Sequence, residues 1–291
     1  MKKNTSFFII LFLLVSTGHK LVAQTVQDYL FKNWDLVYIN PGALTSEGGL
    51  KSTVQYNRNT IDGVNTEVGA QFQMHSNFGK NHGAGISLQS QKSGIFSGTS
   101  FGAGYAYRVK LSANQSLSLG SRVAYFKQSI NRGEVMNANT SDPVLYGDAY
   151  QEGNLMVSAG ALYQWKGLQL AVSSPEFLPM EGNTVISRNY NAYIGYTFEF
   201  DGVDIRPNFY YEEIKTLGNW YEMGLYSELE KQIVLEASYT SQESVRLRAG
   251  FNFKKLNLGY GFDSGSSAQN AGLSKSSHQL FLQYSFGKVI D

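Results

Sequence analysis

The sequence predicts an all-β protein: a transmembrane antiparallel outer-membrane β-barrel of about 14 strands with a short N-terminal periplasmic arm. Three observations predict it. Apolar and polar residues alternate with period two along the whole chain. Connections between the alternating segments are tight on one side of the hairpin series and long on the other. No stretch approaches the ~20 consecutive apolar residues that a membrane-spanning helix needs.

Taken in order, the chain opens with Lys2-Lys3 and an apolar run from Phe7 to Val15, followed by Leu21-Val22-Ala23-Gln24. This is the layout of a signal peptide, 1–23, cleaved after Ala23; an uncleaved anchor is the other reading, though the run is short for a span. The arm follows at 24–49. The barrel occupies 50–286, and 287–291 form a C-terminal tail.

Within the barrel, strands are expected to begin near Leu50, Val64, His82, Thr99, Ser116, Asn154, Leu168, Tyr190, Val203, Trp220, Gln232, Val245, Leu256 and His278. The clearest runs Val64, Thr66, Val68, Ala70, Phe72, Met74, with Asn65, Glu67, Gly69, Gln71 and Gln73 between them. Segments of ~8–11 residues suit tilted membrane-crossing strands, and an even count leaves both termini in the periplasm. Trp165-Lys166-Gly167, Asp201-Gly202, Glu230-Lys231 and Lys254-Lys255 read as tight turns, whereas Gln128 to Gly153, Pro175 to Asn189 and Asp263 to Ser277 read as long loops at the opposite end.

If the apolar set faces lipid, tyrosines such as Tyr56, Tyr107, Tyr196, Tyr239, Tyr260 and Tyr284 fall near strand ends as aromatic girdles. The opposite set holds Glu67, Arg108, Arg122, Glu199, Arg206, Glu222, Glu228, Glu236, Arg246 and Arg248. Each charge would cost a few kcal/mol on the lipid face, so these line the interior. They either select ions or neutralise one another across strands.

Other function classes find little support. Cysteine is absent, so disulfides, thiolate metal sites and lipoprotein anchoring are out of reach. Without Lys2, Lys3 and Lys20 the formal charge moves from +1 to about −2, and no basic tract suggests nucleic acid. Asp263-Ser264-Gly265-Ser266 lacks the later acidic ligand of a calcium loop. Gly83-Ala84-Gly85 and Gly102-Ala103-Gly104 lie within strands and read as thin spots in the wall, not phosphate loops. For catalysis the mature chain offers His75, His82 and His278 without a Gly-x-Ser-x-Gly elbow, and Ser277 and His278 point to opposite faces of a strand. No catalytic residue, cofactor or metal site is assigned.

The arm reads Gln27-Asp28-Tyr29-Leu30-Phe31 and then Val37-Tyr38-Ile39-Asn40-Pro41-Gly42-Ala43. With Tyr56-Asn57-Arg58, Ser141-Asp142-Pro143, Ser173-Ser174-Pro175 and the closing Ser277-His278-Gln279-Leu280 to Tyr284-Ser285-Phe286, it resembles the PorP/SprF family of type IX secretion proteins of Bacteroidetes. Gly42 stands where the family usually has alanine, the tryptophan often following the first-hairpin arginine is absent, and five residues follow the aromatic Phe286.

The resemblance implies a non-enzymatic outer-membrane barrel serving type IX secretion and gliding motility, as export partner or surface anchor of adhesins. Its implied partners are periplasmic ring or translocon proteins, a secreted adhesin's C-terminal domain and outer-membrane lipid. Its implied partner-binding positions are Asn40, Pro41, Asp142, Pro143, Pro175 and His278. Two readings stay open at several of these. Asn40-Pro41 is either a stiff docking segment or a turn steering the arm into the first strand or under the lumen. The loop carrying Asp142-Pro143 either grips a partner or is solvated or lumen-plugging. A passive porin or hydrophobic-solute transporter is the alternative function, since about 14 strands enclose a useful lumen.

Overall fold

The computed structural model describes residues 29–45, 49–61, 64–131, 153–174, 189–214, 218–265 and 275–286. The expected signal peptide (1–23) and expected C-terminal tail (287–291), with Asp142, Pro143 and Pro175, lie outside the described residues.

The alternating segments form β1 (Leu50–Ile61), β2 (Val64–Phe78), β3 (His82–Ser93), β4 (Phe96–Ser112), β5 (Gln115–Ile130), β6 (Gly153–Trp165), β7 (Leu168–Ser174), β8 (Asn189–Tyr196), β9 (Phe198–Phe200), β10 (Val203–Ile214), β11 (Gly218–Leu229), β12 (Ile233–Thr240), β13 (Val245–Phe253), β14 (Leu256–Asp263) and β15 (Lys275–Ser285). β8 and β9 are one pass interrupted at Thr197, since both pair with β10. The result is a closed antiparallel barrel of 14 passes.

Each pass pairs with its sequence neighbours, and β1 zips to β15 from Lys51–Ser285 to Ile61–Lys275. Closure matters because an open edge would leave unpaired N–H and C=O groups in hydrocarbon. β2, β4 and β5, at 15, 17 and 16 residues, exceed the expected strand length.

The tight turns lie at one end. Glu230-Lys231 closes β11–β12 with both residues at positive φ (50° and 55°), the backbone that two-residue hairpins with right-handed twist require. The strand ends flanking 132–152, 175–188 and 266–274 lie at the opposite end, where Gly94-Ile95 and Ser241–Ser244 make tight turns. By the short-turn, long-loop rule the first end faces the periplasm.

Alternation sorts the side chains as expected. Leu88, Phe101, Val123, Val172, Leu225 and Leu247 stand outward and exposed in a belt around the cylinder. Tyr56, Tyr125, Tyr221, Tyr239 and Tyr260 ring its loop end; Tyr107, Trp165, Tyr196, Phe253 and Tyr284 ring its turn end. Inward stand amides such as Gln55, Asn57, Gln71, Gln73, Gln279 and Gln283, all buried.

One expectation changes. The arm, expected in the periplasm, is folded inside the barrel from Tyr29 to Thr45. It makes three short 3-10 turns, Leu30–Asn33, Leu36–Tyr38 and Pro41–Thr45. Its apolar residues cannot stay in water cheaply, and the inward wall carries matching apolar patches. Val37, Tyr38, Ile39, Ala43 and Leu44 cluster with Leu162, Ala171, Tyr193 and Tyr210, while Leu30 and Phe31 cluster with Phe281. Burying each large aliphatic or Phe side chain contributes about 1.5–3 kcal/mol. The interior is therefore part dry, not uniformly wet.

Candidate functional site

The arm and the wall it grips form the site. Buried polar groups must find partners, and the arm's backbone, whose short 3-10 turns satisfy only part of it, takes the rest from strand side chains. Gln279 Oε1 accepts from Leu30 N at 2.8 Å, Arg206 donates to Asn33 O at 3.0 Å, and Arg122 donates to Val37 O at 2.7 Å. Ser173 and Asn191 both donate to Ile39 O. Thr45 Oγ1 donates to Ser118 Oγ at 2.6 Å, and Asn77 Nδ2 to Thr45 O at 3.0 Å. The arm thus runs lengthwise, from the loop-end half of the barrel at Lys32 to the turn end at Thr45.

Asn40 is the arm's central peg. It is fully buried; its Nδ2 donates to Ala161 O at 2.9 Å and Val172 O at 3.1 Å, while its Oδ1 accepts from Gly42 N at 2.8 Å. The wall is thinned to admit it. A Cβ at Gly160 would stand 2.2 Å from Asn40 Oδ1, one at Gly120 2.4 Å from Pro41, and one at Gly83 2.3 Å from Leu44 O. Gly250, Gly259 and Gly261 make the same room for Trp34, Phe31 and Leu30. Gly83, Gly85 and Gly104, which read as thin spots, are therefore the seat of Leu44.

Near the loop end sits a buried charge cluster. Glu222, fully buried, receives Arg246 Nη1 at 2.8 Å, Ser238 Oγ at 2.7 Å, Lys32 Nζ at 3.3 Å, and a hydrogen bond from Arg248 Nη2. Arg248 also meets Glu236 at 3.3 Å and Arg246 meets Asp263 at 2.7 Å. Three cations and three carboxylates compensate one another, the condition for burying any of them. Lys32 lies 3.8 Å over the Trp220 ring and 4.5 Å over the Tyr210 ring. Glu212 fixes both rings, accepting from Tyr210 Oη and Trp220 Nε1, each at 3.0 Å. Glu236 additionally accepts from Asn33 at 3.1 Å and Trp34 Nε1 at 2.7 Å. Burial raises the hydroxyls of Tyr29 and Tyr38 well above the usual tyrosine range, so both arm tyrosines stay neutral.

Of the six expected partner positions, Asn40, Pro41 and His278 lie among the described residues. Asn40 and Pro41 are packed inside, and Asp142, Pro143 and Pro175 lie outside the described residues. His278 lies on the outward face, where its Nδ1 pairs with Tyr260 Oη at 2.7 Å. Two of the quoted motifs do meet: Asn57 pairs with Gln279 and Arg58 with His278 across the closing seam. Sequence reasoning placed Glu222, Glu236, Arg246 and Arg248 inside but missed Lys32, whose signal was that no other Lys or Arg stands in residues 24–49.

In fold, the chain is similar to solved outer-membrane barrels. The toluene transporter TbuX of Ralstonia pickettii matches with TM-score 0.52 at 10% identity, over 86% of this chain and 93% of that one. The outer membrane protein Omp33 of Acinetobacter baumannii matches with TM-score 0.50 at 11% identity, over 82% and 99%. The toluene transporter TodX of Pseudomonas putida matches with TM-score 0.52 at 10% identity, over 90% and 94%. Comparison with curated protein sequences gives no match. The sequence profile of the type IX secretion system membrane protein family PorP/SprF matches residues 23–284. A lipid-facing apolar belt around a closed cylinder, together with that match over nearly the whole length, makes this chain a multi-pass outer-membrane β-barrel that belongs to the PorP/SprF family.

Proposed function

We propose that the chain is a non-enzymatic component of type IX secretion and gliding motility that assists export or surface anchoring of secreted adhesins. Its partners are then periplasmic ring or translocon proteins and an adhesin's C-terminal domain. The observation that carries this reading is the filled lumen. Residues of the arm touch every one of the 14 passes, by hydrogen bonds or by packing on wall glycines. A barrel filled by its own chain suits a rigid platform better than a conduit.

Affinity purification of the full chain from native outer membranes tests it. Co-purification of an adhesin C-terminal domain or ring proteins is expected, and deleting the gene should impair surface display of one cargo. The second reading, a passive porin or hydrophobic-solute transporter, draws support from likeness to barrels named as toluene transporters. It predicts an isolated barrel with solute uptake in liposomes, and normal cargo display beside defective uptake would favour it.

A further inference from the structure

The outward wall of β1–β5 is built in register rows. Val54, Phe72, Leu88, Phe101 and Tyr125 pair in one row. The next row towards the loop end is Tyr56, Ala70, Ser90, Thr99 and Lys127. Its three small members sink a depression of about 490 Å³ between the larger side chains of the first row. The row beyond holds Arg58 and Lys92, with His278 of β15 beside Arg58. Arg58, Lys92 and Lys127 are all exposed. They stand two strands apart in turn, about 10 Å.

Cations on the lipid side cost about 2–4 kcal/mol at the bilayer midplane and little at its interface. Arg58 and Lys127 each lie two residues beyond a loop-end tyrosine of their own strand, Tyr56 and Tyr125, and Lys92 is next to last on β3, which puts these three at the outer-leaflet headgroups. Among the described residues, no Asp or Glu faces outward on β15 or β1–β5, whereas Glu213 on β10 does so across the barrel. The basic face is thus local, and it sits on the rim of an apolar groove. Phosphate oxygens above and a hydrocarbon chain below match that combination, with Arg58 suited to paired contacts.

We propose that this face binds a phosphorylated, multiply acylated lipid of the outer leaflet, one acyl chain lying in the depression and the phosphates on Arg58, Lys92 and Lys127. The test uses the full-length barrel in detergent micelles carrying bisphosphorylated lipid A or its dephosphorylated form, with bound lipid counted by native mass spectrometry. The phosphorylated form should be retained at least about tenfold better, and inorganic phosphate should not displace it. The triple variant R58Q/K92Q/K127Q should lose that preference, and Ala70→Leu with Ser90→Leu should weaken both forms, each variant keeping heat-shifted gel migration. Equal retention of both lipid forms by the unaltered protein would overturn the proposal, as would displacement by free phosphate or an unchanged preference in the triple variant. The first comparison needs no variant to fold.

Discussion

Replacing Glu222 by glutamine leaves Lys32, Arg246 and Arg248 facing each other with one carboxylate fewer in a site closed to solvent. Breaking a buried pair from one side costs about 3–5 kcal/mol. Glu222→Gln should lower the barrel's stability to urea in lipid vesicles by that amount, read from tryptophan fluorescence, since Trp34 and Trp220 both line the region. Lys32→Met should cost less, because Glu222 keeps two arginines and the methionine still packs on Trp220. At Asn40 the donor is what matters. Asn40→Ala removes three hydrogen bonds, about 3 kcal/mol. Asn40→Asp is nearly isosteric but points oxygens at the carbonyls of Ala161 and Val172, so it should release the arm more fully, seen as faster proteolysis of residues 29–45. Asn40 stood out in the sequence. Its destination did not, because its partners are backbone carbonyls 121 and 132 residues away that leave no mark on side-chain identity.

Strands were legible because one physical rule, lipid outside and polar groups inside, writes itself on every second residue. The pass from β6 shows it: Leu155, Val157, Ala159 and Ala161 alternate with the inward Ser158, Gly160 and Leu162. Leu162 also shows the limit, since an apolar residue on the inward face makes sense only once the arm is there to cover it. The arm's 3-10 turns have no periodicity to read, and Gly120 and Gly160 look like weak points in a strand until Pro41 and Asn40 are placed against them. Two substitutions separate the faces. Leu247→Arg, in the outward belt, should cost about 2–4 kcal/mol of stability in vesicles. Gly160→Val, on the inner face, should leave the barrel closed and heat-resistant on gels while expelling the arm, detected as protease cleavage within residues 29–45.

For the whole molecule, the defining feature is the chain's own arm, residues 29–45, packed within the cylinder. The chain contains no cysteine, so paired thiols can report that placement without background. Thr45 and Ser118 bring their side-chain oxygens within 2.6 Å of each other, one on the arm and one on β5. Thr45→Cys with Ser118→Cys, produced in cells, purified in outer membranes and mildly oxidised, should form an intramolecular disulfide nearly completely and resist maleimide labelling until reduced. Free labelling of both thiols in the folded, heat-shifting barrel would place the arm outside the lumen and contradict the account.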